Sequence, residues 1–583
     1  MENNQKLSIV EKLSYGVGDL ACNLFWGLIC VATVFYTDYF GIDAKVAGTM
    51  ILIISCIDIA FDVVIGAIAD RKNSRWGRFR PWILFGLIPF CVIGYMTFRT
   101  PALSDSGKII YAYLTFLAFR LMYSVVNVPY GALMGVISAE PKERDVVSSY
   151  RNVLAQVGCL LSYGFVFTIV RTISQKYQQS GQEAFATTAL IYAVAAAILL
   201  FCTFFFTRER VEPVKKEASN LSEDMKDLGH NVPWISLTVA GIAFLFFVFV
   251  HNGLVPYYAK YYVADTKIHD EQHITQIIEQ PNEAGKMVPF AYVLENGTVD
   301  TISNGIKFPL LEDGKPVVKD GKAVMFGTER MFQTKDKNGE YASIDVVRGT
   351  EDEKASPMVG DRISYFTFEV DGSIFGVKLN WELVSTILLG LGSILTIIGT
   401  LLIQIVVRKF GKKPTWIGCF ILASVLSLSF MFVPKENVSI ILLLNLLFTL
   451  SIGPCGYIMW SMYADVADNA EVETGRRATG LIYSSATMAQ KLGTALANAI
   501  PAFALATIGF VANTQLAADI ISSIKNIYSL LPLVGSIIAI VALFFYKIDE
   551  ETIKRNSMIL ESRRKQEGGD SDSAGQEVVS QED

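Results

Sequence analysis

The sequence predicts an all-α membrane protein with twelve transmembrane helices in two six-helix halves and a β-rich extracellular insertion between helices 7 and 8. The first observation is composition: hydrophobic residues make up 52% of the 583 residues and charged residues only 18%. The second is that windows of about 19 residues find about twelve apolar spans. The third is a basic loop that recurs in the second half of the chain. A soluble protein of this composition would expose too much apolar surface.

The recurring loop is Arg75–Trp82 after the second span and Arg408–Trp416 after the eighth. Each segment has basic residues, a glycine, further basic residues, and a proline and tryptophan at the start of the next helix. Matching loops at corresponding positions indicate two six-helix repeats, the architecture of major facilitator transporters, whose substrate site lies at the midplane between the halves. The basic loops all fall on one side. The positive-inside rule therefore predicts a multi-pass protein of the cell membrane with both termini in the cytoplasm.

These features divide the chain into six segments. They are the N-terminal half at 1–206, a cytoplasmic linker at 207–232, helix 7 at 233–264, the insertion at 265–380, helices 8–12 at 381–546 and a disordered cytoplasmic tail at 547–583. The insertion contains several Asn-Gly and Asp-Gly pairs between short β-prone runs, a pattern typical of hairpins. No binding motif interrupts it. We therefore interpret it as an addition without a transport role, and capture of substrate at the outer mouth is the alternative.

Two carboxylates interrupt the apolar run Val46–Ala69. Asp58 and Asp62 are four residues apart, so they project from the same face of a helix. Charges within the hydrocarbon region are costly, and an ionisable residue there is a functional hypothesis by default. We therefore predict a cation or proton site. The alternative is a static clasp, in which the carboxylates meet cations on neighbouring helices.

Several motifs in combination resemble the glycoside–pentoside–hexuronide:cation symporters, the family of the melibiose permease. They are the segments Ser14–Asp19, Phe35–Asp38, Gly77–Trp82, Asn127–Tyr130 and Gln490–Gly493, together with Asp58, Asp62 and Arg151. The likeness covers the spans but not the insertion. It implies that Asp58 and Asp62 bind the coupling ion, with the hydroxyl of Ser124 beside them.

One departure from that family bears on the ion. Where the melibiose permease places an amide before its second aspartate, this chain has Phe61, which cannot ligate a cation. Na⁺ needs several oxygen ligands, whereas a proton needs a single carboxylate. Proton coupling is therefore favoured, and Na⁺ coupling stays open.

The resemblance and the chemistry of sugar recognition point to a second set of residues. Sugars are held by charged or amide groups, with aromatic faces against the ring. Asn23 and Asn127 stand where the melibiose permease has sugar-binding aspartates, and Gly131 and Gly456 stand where it has tryptophans. An α-galactoside is thus disfavoured, a hexuronide is electrostatically easier, and neutral β-glycosides and pentosides stay open. The predicted substrate-binding residues are Asn23, Tyr123, Asn127, Arg151, Thr487 and Lys491.

A third set lies in the loop after span two. Asp70, Arg71 and Arg78 resemble the loop motif of the facilitator family, in which an acid caps a helix and pairs with arginine to lock one facing state. We expect these residues to act in gating. Arg120 in span four receives no specific role, and His251 in span seven is interpreted as a packing residue.

The predicted function is a cation-coupled symporter that imports a glycoside, pentoside or hexuronide by alternating access. The alternatives are a lysolipid transporter of the same fold and a non-transporting nutrient sensor that uses the insertion as a ligand trap. No nucleophile motif, phosphate loop or Cys/His metal spacing indicates an enzyme or a bound cofactor. The expected partners are a small glycoside and the lipid bilayer, with no nucleic acid and a monomeric protein.

Overall fold

The computed structural model describes most of the helical part of the chain and the larger strands of the insertion. The described residues are 7–71, 74–101, 103–138, 141–177, 179–210, 229, 231–281, 287–297, 299–301, 307–309, 311–312, 315–316, 318–319, 322–323, 325–327, 329–335, 341–344, 358–374, 377–474, 479–560 and 562.

Twelve helical spans form the bundle, and spans 5 and 10 are each built from two helices. Their bounds are span 1 Ile9–Cys30, span 2 Ala44–Arg71, span 3 Arg80–Thr97, span 4 Asp105–Val136, span 5 Pro141–Cys159 with Val166–Tyr177, span 6 Gly181–Phe206, span 7 Val232–Tyr257, span 8 Trp381–Phe410, span 9 Lys412–Ser429, span 10 Val438–Ile452 with Cys455–Thr474, span 11 Thr479–Thr507 and span 12 Ala518–Phe545.

The count of spans agrees with the prediction. Among the described residues, ten helices are long and apolar enough to cross a membrane, and the two bent helices of span 5 together make an eleventh. Span 11 is 29 residues long and packs against spans 2 and 7, so it completes the twelve. The predicted fold class, twelve helices in two halves with a β-rich insertion, is confirmed.

Local sequence explains where several spans begin. Ser8, Ser104 and Ser180 each accept a hydrogen bond from a backbone N–H in the first turn of the helix that follows. Ser180 and Glu183 form a full capping box. Span 10 breaks between Ile452 and Cys455, where Gly453-Pro454 interrupts the backbone ladder.

The insertion consists of short strands between spans 7 and 8. Six of them form an antiparallel sheet in the order β11-β10-β12-β1-β2-β3, and β13 pairs with β12. The strands are β1 Asp265–Pro281, β2 Met287–Leu294, β3 Val299–Thr301, β4 Lys307–Pro309, β5 Leu311–Glu312, β6 Lys315–Pro316, β7 Val318–Lys319, β8 Lys322–Ala323, β9 Met325–Gly327, β10 Glu329–Lys335, β11 Tyr341–Ile344, β12 Arg362–Ile374 and β13 Val377–Asn380.

The sheet is joined directly to the bundle. β1 begins two residues after the π-helical turn Tyr258–Val263, and Asn380 at the end of β13 caps span 8 by accepting the N–H of Leu383 at 2.8 Å. We call this face of the bundle the insertion side, and the face where span 1 begins and span 12 ends the terminal side.

Within the N-terminal half, glycines let span 1 approach span 5 closely. A Cβ on Gly27 would lie 1.6 Å from the Ser162 hydroxyl, and a Cβ on Gly158 would lie 2.7 Å from the Leu20 carbonyl oxygen. A larger residue at either position would force the spans apart. Because span 1 bears Asn23 and span 5 bears Arg151, this close approach brings the polar side chains of the two helices together.

Candidate functional site

Span 4 provides one continuous polar face to the centre of the bundle. Arg120, Tyr123, Ser124 and Asn127 recur at helical spacings of three and four, so their side chains lie along the same stripe. Tyr123 and Ser124 are buried, and Asn127 is half-buried. The stripe therefore reaches from the predicted cation site to the predicted sugar site.

Asp58 lies at the centre of a buried ionic cluster. Its side chain is 0% exposed, and Oδ1 accepts a hydrogen bond from the Ser124 hydroxyl at 2.6 Å. Oδ2 accepts from Arg120 Nη2 at 2.7 Å and from Lys491 Nζ at 3.0 Å. Arg120 is 3% exposed and is thus buried with its partner. Both oxygens of this carboxylate are occupied by groups of the protein itself.

Asp62 lies one turn along the same face and is less enclosed. Its Oδ2 lies 2.5 Å from Lys491 Nζ, which also donates to the Ser124 hydroxyl at 3.1 Å. Its Oδ1 is buried, yet it accepts no hydrogen bond from any described residue. A buried carboxylate oxygen without a donor is costly, so this atom is the open acceptor of the cluster.

The cluster joins the two halves. Asp58, Asp62, Ser124 and Arg120 belong to spans 2 and 4, whereas Lys491 belongs to span 11. Its charges cancel, because two carboxylates meet one guanidinium and one ammonium group. The sequence placed Asp58, Asp62 and Ser124 together, and the structure does the same. The structure also shows the ion pairs of the alternative interpretation, the static clasp. One of its cations is Arg120, for which the sequence offered no role.

A second ion pair lies between spans 1 and 5. Arg151 Nε donates to Asp19 Oδ2 at 2.8 Å, and the guanidinium carbon lies 5.9 Å from the centre of the Tyr130 ring. The Tyr130 ring stacks on that of Tyr15 at 4.8 Å. The Arg151 side chain is 37% exposed although Asp19 is nearly buried, so one edge of the pair is accessible. This edge offers both hydrogen-bond donors and acceptors.

The other predicted sugar residues lie around these two ion pairs. Asn23 donates its amide to the Asp19 backbone carbonyl at 2.8 Å, and its own amide oxygen accepts from Cys159. Tyr123 packs against the Trp26 ring at 5.8 Å. Thr487 is exposed one turn before Lys491 on span 11. Asn127 makes no side-chain hydrogen bond to any described residue.

Lys491 is the predicted sugar-binding residue that lies in the buried ionic cluster and not near the Asp19–Arg151 pair. Its ammonium group contacts the Asp58 and Asp62 carboxylates and the Ser124 hydroxyl. Charge balance with these carboxylates therefore explains why a lysine lies at this position.

Asp19 is the residue that sequence reasoning missed. It belongs to the segment Ser14–Asp19 of the family resemblance and was not itself predicted as a site residue. The sequence made a hexuronide electrostatically easier because Asn23 and Asn127 replace aspartates while Arg151 is kept, and the structure places the Asp19 carboxylate against Arg151. The signal was present: Asp19 is a carboxylate within an apolar span, the same feature that identified Asp58.

On the insertion side, a buried latch holds the halves together. We define it as Asp38, Lys260, Tyr261 and Asn513. Asp38 Oδ2 accepts from Lys260 Nζ at 3.0 Å and from the Tyr261 hydroxyl at 2.6 Å, and the Asn513 amide donates to the Asp38 carbonyl at 2.6 Å. Asp38 and Lys260 both lie in π-helical turns, which occur frequently at functional sites. Tyr261, in the π-helical turn that follows span 7, thus belongs to this latch.

Two glycines of spans 4 and 10 have space beside them. A Cβ added to Gly131 or to Gly456 would meet no atom within 4 Å from another described part of the chain. The side chains of Arg151 and Trp460 are each more than a third exposed. The latch therefore joins the halves on the insertion side, and Arg151 remains partly exposed within the N-terminal half.

The predicted gating residues are only partly described. The side chains of Asp70 and Arg71 lie outside the described residues. Arg78 contributes its backbone N–H, which donates to Glu209 at 2.8 Å, and the same carboxylate accepts the N–H groups of Phe79 and Arg80. Gly77 has a φ of +103°, and a Cβ there would lie 2.5 Å from Glu209. Glu209 therefore organises this loop, which the sequence did not indicate.

Comparison with known proteins decides the family. The family model for MFS/sugar transport proteins matches residues 14–270 and 381–550, leaving out nearly all of the insertion. The chain belongs to this family. As an MFS/sugar transport protein it is a multi-pass membrane transporter and not an enzyme, which confirms the resemblance drawn from its motifs.

Individual relatives agree with this assignment. "Inner membrane symporter YicJ" of Escherichia coli is 38% identical over 266 residues, which cover 46% of this chain and 57% of that protein. The "Isoprimeverose transporter" of Lactiplantibacillus pentosus is 25% identical over 543 residues, covering 93% and 89%. The solved structure of the D-xylose-proton symporter shares the fold, with a TM-score of 0.54 at 12% identity over 93% of this chain and 98% of that one.

Proposed function

We propose that this MFS/sugar transport protein is a proton-coupled symporter of the cell membrane that imports a neutral glycoside. The observation on which the proposal rests is Asp62 Oδ1, a buried acceptor without a donor among the described residues, within a cluster that bridges the halves. A proton needs one such acceptor. Na⁺ would need about six oxygens, and both oxygens of Asp58 are already occupied.

The proton would act on the link between the halves. Protonation of Asp62 removes the charge that holds Lys491 Nζ at 2.5 Å, and Lys491 keeps Asp58 and Ser124 as partners. An ion pair between span 2 and span 11 is thereby exchanged for a weaker neutral contact. This weakens the link between the halves, while the Lys491 ammonium group stays paired with Asp58.

The sugar would bind at the accessible edge of the Asp19–Arg151 pair. The carboxylate accepts from hydroxyl groups, the guanidinium donates to them, and Tyr130 lies beside the guanidinium. Because the pair is electrically neutral, a neutral glycoside fits better than a hexuronide. Thr487 and Trp460 of the second half are exposed and would complete the site when the halves close around it.

Aromatic contacts connect the buried cluster to Tyr123, one of the predicted sugar-binding residues. The Arg120 guanidinium lies 5.9 Å from the Trp26 ring, and this ring packs 5.8 Å from that of Tyr123. Proton and sugar are coupled only if each favours the same facing state of the transporter. A chain of packed side chains from Arg120 to Tyr123 supplies a physical route for that coupling.

Uptake by the purified protein in liposomes tests this proposal. We expect accumulation of a glycoside from a panel of neutral and acidic sugars when an inward pH gradient is imposed, and accumulation that does not respond to Na⁺ at equal pH. A requirement for Na⁺ would contradict proton coupling. Preference for acidic sugars would contradict the assignment of the neutral Asp19–Arg151 pair.

The latch gives a second prediction, about the facing state. Asp38→Asn should open the insertion side, because removing one partner of a buried ion pair costs about 3–5 kcal/mol. A cysteine introduced as Thr33→Cys, in a variant from which the eight native cysteines have been removed, reports this opening by its accessibility to a thiol reagent. The Thr33 side chain is buried on the insertion side of the bundle, where its hydroxyl donates to the Asn498 carbonyl.

We expect a membrane-impermeant thiol reagent to label Thr33→Cys at least about tenfold faster when Asp38→Asn is also present. Lys267→Met is the control, because it removes ion pairs that lie within the insertion and not between the halves. Lys267 bonds Glu369 and Asp371, and these hydrogen bonds raise the pKa of Lys267. Equal labelling rates with and without Asp38→Asn would show that Asp38 does not hold the closed state.

An apolar cavity bears on the lysolipid alternative. A cavity of about 390 Å³ lies between spans 8, 9 and 10, lined by residues such as Leu402, Phe410 and Leu422. No charged side chain lines it, although a neighbouring cavity that shares Phe410 and Pro414 is lined by Lys412 and Lys413. The cavity contains none of the Asp58 cluster, and the matching family model is that of sugar transport. The sugar transporter is therefore the better supported function.

A further inference from the structure

Arg120 is a charged group of the cluster to which the proposed mechanism gives no role. Its guanidinium donates to Asp58 Oδ2 at 2.7 Å from within the same half of the protein, and its side chain is 3% exposed. Lys491 approaches the same oxygen from the other half at 3.0 Å. Asp58 would thus keep a cation partner even when the halves separate.

A guanidinium group cannot lose its proton in a protein, so this partner is a permanent charge. The guanidinium group donates to Asp58 Oδ2, an oxygen that a bound Na⁺ would need as a ligand. Entry of Na⁺ at Asp58 would have to displace this buried arginine, which is unfavourable, whereas a proton needs only the open oxygen of Asp62.

We infer that Arg120 sets the ion specificity of this transporter, acting as a built-in cation that excludes Na⁺ from Asp58 and leaves Asp62 to the proton. The inference rests on the proposed coupling site, but it assigns a distinct role to a residue that does not itself bind the proton. It also replaces Phe61 as the reason for proton coupling, because an added amide would not remove the guanidinium.

Removal of the guanidinium should let Na⁺ bind. In Arg120→Gln, Asp58 keeps Ser124 and Lys491 as partners, the site has one positive charge fewer, and an amide oxygen is added. We expect NaCl, but not KCl or choline chloride at equal ionic strength, to raise the melting temperature of the purified variant and to give heat in titration calorimetry. The unmodified protein should show neither response.

Transport provides the second readout. At equal pH on both sides, an inward Na⁺ gradient should stimulate sugar uptake by Arg120→Gln on the order of tenfold, which corresponds to about 1.4 kcal/mol. Arg120→Lys is the matched control, because it retains the charge and should stay insensitive to Na⁺. Phe61→Asn with Arg120 intact should also stay insensitive.

Three results would overturn the inference. They are Na⁺ binding by the unmodified protein, no Na⁺ binding by folded Arg120→Gln, and a Na⁺ response in Phe61→Asn alone. The first and third do not depend on whether Arg120→Gln folds. Failure of the proposed function is distinguishable, because then no sugar would accumulate under a pH gradient, whereas Na⁺ binding is measured without sugar.

Discussion

Asp62→Asn is expected to abolish uphill accumulation of sugar while preserving the folded protein and the exchange of sugar across the membrane. Asparagine keeps the size of the side chain but cannot take up a proton, so the step that the proton controls is lost. Asp62 is partly exposed and bonds only Lys491 among the described residues, and Lys491 retains Asp58. The measurement is accumulation under a pH gradient, compared with counterflow in which labelled sugar exchanges for unlabelled sugar.

We expect the accumulation ratio to fall to about one while counterflow continues. Accumulation at the unmodified level in Asp62→Asn would exclude Asp62 as the coupling group. Loss of both activities would instead place Asp62 in sugar binding.

Asp58 should behave differently, and this contrast is the control. Asp58→Asn leaves Arg120 and Lys491 buried without a full counter-charge, a change that costs about 3–5 kcal/mol in other buried pairs. We therefore expect a lower yield of folded protein. Asp62→Asn should not show this loss, because the Asp62 side chain is 18% exposed.

Arg151→Gln is expected to weaken sugar binding by about 2–4 kcal/mol, the range for truncating one partner of a hydrogen-bonded charge pair that bound sugar would bury. This corresponds to a dissociation constant about 30- to 1,000-fold higher. Binding measured by calorimetry separates this effect from transport. Arg151→Lys keeps the charge but loses the planar donor geometry, so it should restore only part of the affinity.

The partner of Arg151 provides the complementary test. Asp19→Asn leaves the guanidinium without its counter-charge, so the preference of the transporter should move from neutral glycosides toward hexuronides. Unchanged sugar affinity in Arg151→Gln would assign Arg151 to charge balance with Asp19 alone.

The sequence predicted the fold because the bilayer imposes strong constraints. Span length, basic loops and the repeat of Arg75–Trp82 at Arg408–Trp416 are all visible in one dimension. The strands of the insertion run from Asp265 in β1 to Asn380 in β13, the range in which the sequence contains the Asn-Gly and Asp-Gly pairs. The positions of Asp58, Asp62 and Ser124 in one cluster followed from helical spacing and the family resemblance.

Which cation pairs with which carboxylate could not be predicted from the sequence. Arg120 and Lys491 are 371 residues apart in sequence, yet both donate to one oxygen of Asp58. Which cation meets which carboxylate depends on how the helices are rotated and packed, and hydropathy does not contain this information. The same reason explains why Asp19 was missed as the partner of Arg151, and Lys260 as the partner of Asp38.

The central claim is that each sugar enters with a proton, and the most direct test measures that proton. Sugar is added to de-energised cells that contain the protein, in a weakly buffered medium with a pH electrode. We expect the medium to become more alkaline on addition of a transported glycoside, and this change to disappear in Asp62→Asn while exchange of sugar persists. Sugar entry without any change in pH, or entry accompanied by uptake of Na⁺ at a sodium electrode, would contradict the account.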